Sequence, residues 1–260
     1  LGMGVGSAAL ATVISQFASA IFCMVHLMRV KAEYRLELRQ VRFDKRMLQQ
    51  IIRNGVPSGF QNSVIAIANV FVQSNINAFG KMAMAGCGSY SKVEGFAFLP
   101  VTCFTMALTT FVSQNLGAKQ YERAKKGARF GILCSISIAE LIGVIIYTAA
   151  PVLIAAFNRD PDVVHYGVMQ SRTIALFYFL LAFSHCIAAV LRGSGNAAVP
   201  MIVMFCVWCL FRVSYIAVTV RIIPDIRVIF WAYPLTWSIS SAIFLFLFLR
   251  GKWVYGFEKK

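Results

Sequence analysis

Two carboxylic acids, Glu94 and Glu140, sit inside apolar runs long enough to cross a bilayer. An ionised acid at the centre of a membrane helix costs about 2.5–3.5 kcal/mol on insertion scales, so an acid there marks an ion or substrate pathway by default. Two conditions lower that cost. The acid stays protonated, or it pairs with a cation such as Lys92, Arg212, Na⁺ or a cationic organic compound. A carboxyl that alternates between the two couples proton or ion movement to ligand binding. The bland alternative is a static buried pair, or a neutral acid hydrogen-bonded within a helix bundle.

The stretch that must position Glu94 runs from Cys87 to Ser113 and also carries Lys92 and Pro100. On a helix, Cys87, Ser91, Glu94, Phe98, Thr102, Thr105, Thr109 and Ser113 share one face, spaced by threes and fours. Lipid does not suit such a stripe; the wall of a cavity inside a bundle does. Pro100 removes one backbone hydrogen bond in mid-span and allows a kink. Glu94 lies roughly 10 Å below the outer end of this stretch at 1.5 Å per residue. A second, uncharged stripe recurs in Asn54–Asn77: Ser58, Asn62, Ala66, Asn69, Gln73 and Asn77. It either lines a cavity or joins helices by hydrogen bonds, and the length of the amide row favours a cavity. Glu140 has Ser137 and Gly143 as neighbours three residues away. Tyr178, Ala182, His185, Ala189 and Arg192 share a later face, and Arg212 lies well inside another span, where a structural ion pair is the favoured reading. The candidate ion or substrate pathway is therefore Glu94, Glu140, Asn62, Asn69, Gln73, Tyr90, His185 and Arg212.

Composition sets the class. Of 260 residues, 59% are apolar and 13% charged, outside the range of soluble domains in both respects. The net charge of +15 comes from basic residues clustered between apolar spans, as in cytoplasmic loops of membrane proteins. No basic stripe with stacking aromatics lies outside the spans, which argues against nucleic acid as a partner. Most of the seven Cys sit within apolar spans, so no disulfide framework is implied. Cys206 and Cys209 have redox spacing, but buried small apolar residues are the plain reading. No metal-ligand cluster and no nucleophile–base constellation is visible, so no cofactor is expected beyond H⁺ or Na⁺ as a coupling ion, and an enzyme is disfavoured.

Seven spans are expected: Val5 to Met28, Asn54 to Asn77, the Glu94 helix, Phe130 to Ala150, Arg172 to Leu191, Val199 to Val220 and Val228 to Leu249. Gly2 and Gly6 form a G-x-x-x-G at the start of the first, which favours close helix packing. Between the first two, residues 29–53 carry eight Lys or Arg. There Asp44 can cap a short helix with Met47, Leu48, Ile51 and Ile52 on one face. A surface-lying membrane helix and a soluble linker helix are both open. Polar residues 155–171 read as a loop with a turn at Asn158–Pro161. Trp231, Tyr233, Trp253 and Tyr255 fit an aromatic belt at the two ends of the last span. Loops 29–53, 114–129, 192–198 and 250–260 hold eighteen Lys or Arg, against four in the intervening loops. That bias puts the first set, and the C-terminus, in the cytoplasm. The chain begins without Met and inside an apolar segment, so it is expected to be a fragment.

Three motifs carry a resemblance: Asn54-Gly-Val-Pro-Ser-Gly-Phe-Gln61, Gln114-Asn-Leu-Gly-Ala-Lys119 and Leu191-Arg-Gly-Ser-Gly195. With them the whole chain resembles the C-terminal half of the multidrug and toxic compound extrusion (MATE) family. The resemblance implies an all-α membrane protein of two six-helix lobes that rock around a central cavity. Residues 1–28 would then hold the last helix of the first lobe, 29–53 the cytoplasmic inter-lobe loop with its amphipathic helix, and 54–260 the six-helix second lobe. It implies a multi-pass cell-membrane antiporter that exports amphipathic, often cationic, compounds in exchange for H⁺ or Na⁺. Its partners would be the bilayer, the missing first lobe and the organic substrate. Acids used by some branches on the first and fourth helices of the second lobe are absent here, which leaves Glu94 and Glu140. A flippase for a lipid-linked saccharide is the related alternative; its cavity would be more cationic, and Lys92 and Arg212 keep that open.

Overall fold

The computed structural model describes residues 5–31, 35–250 and 252–255. Gly2 of the Gly2–Gly6 pair, Glu33 and the last five residues, with Lys259 and Lys260, lie outside that set. The regular structure described is helical, and six helices are long and apolar enough to cross a membrane. The chain divides into two compact units, residues 1–49 and 50–260.

The first unit holds α1 (Val5–Arg29). After it, the Arg35 Nε donates to Met28 O at 3.1 Å and the Leu36 N–H to Leu27 O at 3.0 Å, turning the segment back along the helix end. Asp44 then caps α2 (Lys45–Asn77): its Oδ1 accepts from the backbone N–H of Arg46 and Met47. The cap expected from the sequence is present. The helix it starts is not a separate short one, however, but runs without interruption through Gly55 and Pro57 to Asn77.

The second unit is a bundle built around α3 (Lys81–Gly117), which packs on α4 (Tyr121–Ala155), α5 (Pro161–Ile174) and α6 (Tyr178–Gly193). Small residues let these backbones approach. A Cβ on Gly86 would stand 2.5 Å from Val163 O, and one on Gly143 would overlap the carbonyl oxygen of Ala175. Close contact through small residues is how membrane helices gain packing energy when apolar burial alone cannot drive association.

Two expectations about the later spans need correction. The polar stretch after Pro161 is helical, with Asp160 as its cap and Pro161 in the first turn. Asp162, His165 and Gln170 suggested a loop, but Asp-Pro at this position is a helix start, because proline needs no N–H there. α5 and α6 form one span joined by a short 3₁₀ turn at Ala175–Phe177. The sixth span is likewise composite. α7 (Ala198–Met204) leads into a π-helical stretch, Phe205–Phe211, and then α8 (Arg212–Ile222). α9 (Ile226–Leu249) follows, capped by Asp225. The aromatic belt is also only partial: Trp231 and Tyr255 are exposed, whereas Trp253 is buried and Tyr233 turns inward onto Arg212.

The crossings at Gly86 and Gly143 are backbone against backbone, so neither can yield to a side chain. Gly86→Ala and Gly143→Ala are each expected to cost about 1–3 kcal/mol by overpacking. Gly88→Ala, with open space around it, is expected to cost nothing. Melting temperatures of the three purified variants decide this; an unshifted melt for Gly143→Ala would contradict the packing described.

Candidate functional site

The α3 stripe faces two neighbouring cavities. Ser91, Glu94 and Phe98 line one of about 440 Å³, with Asn69 and Gln73 of α2 opposite. Phe98, Thr102, Thr105 and Thr109 line a second of about 620 Å³, with Ser58, Gln61 and Asn62 of α2. Ile65, Phe98 and His185 belong to both and mark where the two meet. Cys87, at the outer end of the stripe, is buried in the core instead.

The hydroxyls of the stripe have a common arrangement. Ser91 donates to Cys87 O, Thr102 to Phe98 O, Thr105 to Thr102 O and Thr109 to Thr105 O, at 2.8–3.0 Å. Each hydroxyl proton is spent on a backbone carbonyl of its own helix, with Thr109 also within 3.3 Å of Ala189 O on α6. What these groups offer the cavity is lone pairs, which suit water, ammonium groups or metal cations rather than anions.

Glu94 lies about 20 Å along the axis from Lys81 at 1.5 Å per residue, deeper than the sequence suggested, because α3 begins before Cys87. The Tyr90 hydroxyl lies 3.5 Å from Glu94 Oε1 and 2.8 Å from the buried Tyr178 hydroxyl. The order that uses every donor is Tyr178 to Tyr90 to Glu94. Tyr90 thus backs the carboxyl from the core side and leaves its other face to the cavity.

Arg212 lines the same cavity as Glu94 and is fully buried. Its guanidinium carbon lies 4.8 Å from the Trp208 ring centre and 4.7 Å from that of Tyr233. Its Nη2 donates to Thr236 Oγ1 at 2.7 Å, and Nε and Nη1 have no hydrogen-bond partner. The sequence suggested a structural ion pair; what holds Arg212 is one hydroxyl and two ring faces. Lys125 and the exposed Glu122, near the start of α4, form an ion pair at 2.8 Å. There the ammonium holds the Glu122 carboxyl below its usual range.

Two other candidates, Lys92 and Glu140, are placed elsewhere, whereas His185 stays at the junction of the two cavities. Lys92, named as a partner for Glu94, lies over the Phe157 ring at 5.3 Å and lines neither cavity. Glu140, on α4, also lines neither; its carboxyl meets the backbone of Phe179 at the start of α6, and Oε2 is buried without a partner. Its surroundings are those of a group securing the α5–α6 break. His185 packs edge-on to Phe98 and Trp208 with Nε2 buried and unpartnered. The sequence reading passed over Gln61, Trp208, Tyr233, Trp237 and the bond from Arg192 Nη1 to Gln61 Oε1 at 3.4 Å, which ties α6 to α2. The spacing of Trp208 with Arg212, and of Tyr233 with Trp237, four residues apart, was the available signal.

The family model MatE matches residues 57–218. The chain belongs to the MATE family. It is 28% identical over 264 residues to the Probable multidrug resistance protein NorM of Thermotoga maritima, covering 96% of this chain and 54% of that protein. It is 25% identical over 210 residues to the Probable multidrug resistance protein YoeA of Bacillus subtilis, covering 79% of this chain and 45% of that one. The chain thus spans about half the length of the curated relatives it matches. A MOP superfamily transporter from Pyrococcus furiosus superposes with a TM-score of 0.88 over 100% of this chain and 58% of its own, at 20% identity. A multidrug resistance MATE transporter in an outward-facing conformation gives a TM-score of 0.88 at 21% identity, over 100% and 58%. At that identity these two show the fold alone. MATE proteins are multi-pass membrane transporters rather than enzymes, and the six apolar helices agree with that class.

Proposed function

We propose that this chain is the second half of a two-lobe MATE exporter that expels amphipathic organic cations in exchange for H⁺ or Na⁺, with Glu94 as the exchanging carboxyl. One observation carries the reading: Glu94 is the one acid lining either cavity among the described residues. The lone pairs turned inward by Ser91 and the threonines support it, as do the ring faces of Phe98, Trp208, Tyr233 and Trp237 around the same space. Together these offer an amphipathic cation apolar surface, hydrogen-bond acceptors and one exchangeable negative charge.

In this reading α1 is the last helix of a first lobe, residues 29–53 connect the lobes, and residues 54–260 form the second lobe. Here α2 is the seventh crossing. Its amides lower its hydropathy because they face a cavity, while Val56, Phe60, Ile67 and Val70 are exposed and suit lipid. The excess of Lys and Arg sets the loops at 29–53 and 114–129, and the C-terminus, on the cytoplasmic side of the cell membrane. Modification of a cysteine placed in either loop by an impermeant reagent in intact cells would overturn that orientation. The saccharide-lipid flippase is not favoured, since the relatives are named for multidrug resistance and Lys92 is turned to Phe157.

In the full-length protein, Glu94→Gln is expected to insert and fold normally yet lose gradient-driven dye efflux. Glu94→Asp should keep part of it, and Glu140→Gln should keep nearly all. Efflux from vesicles, with proton and sodium gradients collapsed separately, tests this and separates the coupling ions. Wild-type efflux by Glu94→Gln across pH values either side of neutral would make Glu94 a structural hydrogen-bonder.

A further inference from the structure

The cavity wall that carries Glu94 also carries a cation with no counter-ion beside it. Arg212 is fully buried, yet two of its three guanidinium nitrogens have no hydrogen-bond partner. A buried charge in this condition is costly and gains by meeting an opposite charge. Glu94 lines the same space, but the two form no ion pair within 4.0 Å. The two are held apart by separate anchors. Thr236 and the ring faces of Trp208 and Tyr233 hold the guanidinium, and Tyr90 and Tyr178 back the carboxyl.

A second observation shows how the separation could change. The π-helical stretch Phe205–Phe211 ends at Arg212 itself. A π turn holds one residue more than an α turn, and such insertions concentrate at functional sites. Tightening it to α geometry would turn α8 by about 100° and advance it about 1.5 Å. That movement carries Arg212 relative to Thr236 on α9 and to Glu94 on α3.

We propose that Arg212 is the release cation of the Glu94 site. It competes with a bound organic cation for the Glu94 carboxylate, and adjustment of the Phe205–Phe211 stretch moves it between Thr236 and Glu94. While a cationic ligand occupies Glu94, Arg212 rests on Thr236 and the two rings. When it pairs with Glu94, the ligand loses its counter-charge and leaves. Arg212 acts here through Glu94, as a positioning residue. The inference rests on the reading of Glu94 as a cation site.

The test uses the full-length protein in lipid nanodiscs and liposomes, with ethidium as the probe. Arg212→Met should lower the ethidium Kd by about fivefold or more, the lower end of usual coupling between two sites, and should slow efflux. Tighter binding with slower turnover is not what loss of a structural residue produces. Arg212→Lys should restore both values in part. In a Glu94→Gln background, Arg212→Met should leave the Kd unchanged, because the competition has lost its object. Thr236→Val, which frees the guanidinium, should raise the Kd. An unchanged or higher Kd in Arg212→Met, or a drop that persists with Glu94→Gln, overturns the proposal. If Arg212→Met does not fold, Thr236→Val decides alone, and an unchanged or lower Kd overturns it. Should Glu94→Gln by itself leave ethidium binding untouched, the reading of Glu94 fails, a result separate from the behaviour of Arg212.

Discussion

A carboxyl and a guanidinium face one cavity inside a membrane bundle and do not pair. Two unit charges 4 Å apart attract by about 4 kcal/mol at an effective dielectric of 20, so keeping them apart needs structure. Here the structure is visible: Thr236 Oγ1 and two rings on one side, the Tyr90–Tyr178 hydrogen bond on the other. Thr236 passes its own proton to Ala232 O and Tyr233 O of α9, so its lone pairs are free for Arg212. The site depends on four helices holding these groups at fixed positions. That explains why the close crossings at Gly86 and Gly143 lie on the same α3 and α4 that carry Glu94 and Glu140.

The two acids of the sequence therefore part company. Glu94 has a cavity on one face and a tyrosine pair behind it. Glu140 has the backbone of Phe179, where the α5–α6 break frees amide groups that a helix interior would use. The same residue type in the same kind of apolar run lines a cavity in one case and meets a helix join in the other. Only the neighbours distinguish them, and those come from other helices.

What the sequence made legible was periodic. The faces of α2 and α3 were readable because side chains three and four residues apart must point together, and Asn62, Asn69, Gln73 and Glu94 do line cavities. The Asp44 cap was readable because the signal is local. The π-helical stretch was not: FCVWCLF has no Gly, Pro or polar residue to announce it. The start of the fifth span was misplaced because His165, Gln170 and Arg172 are polar, although Asp160-Pro161 is a helix start. Lys92 looked like a partner of Glu94 from its closeness in sequence, but residues two apart on a helix point to different sides. Arg212 and Tyr233 became neighbours only through the packing of α8 on α9.

The proposed exchange of one charge at Glu94 is most directly measured as protons released when a cation binds. The purified full-length protein, weakly buffered and without a gradient, is mixed with ethidium while pH and bound dye are followed together. With H⁺ as the coupling ion, the account predicts about one proton released per ethidium bound, and none from Glu94→Gln; with Na⁺ in that role, ethidium should displace bound Na⁺ in the same ratio and with the same dependence on Glu94. Ethidium binding with neither ion released, or release that survives Glu94→Gln, would contradict it.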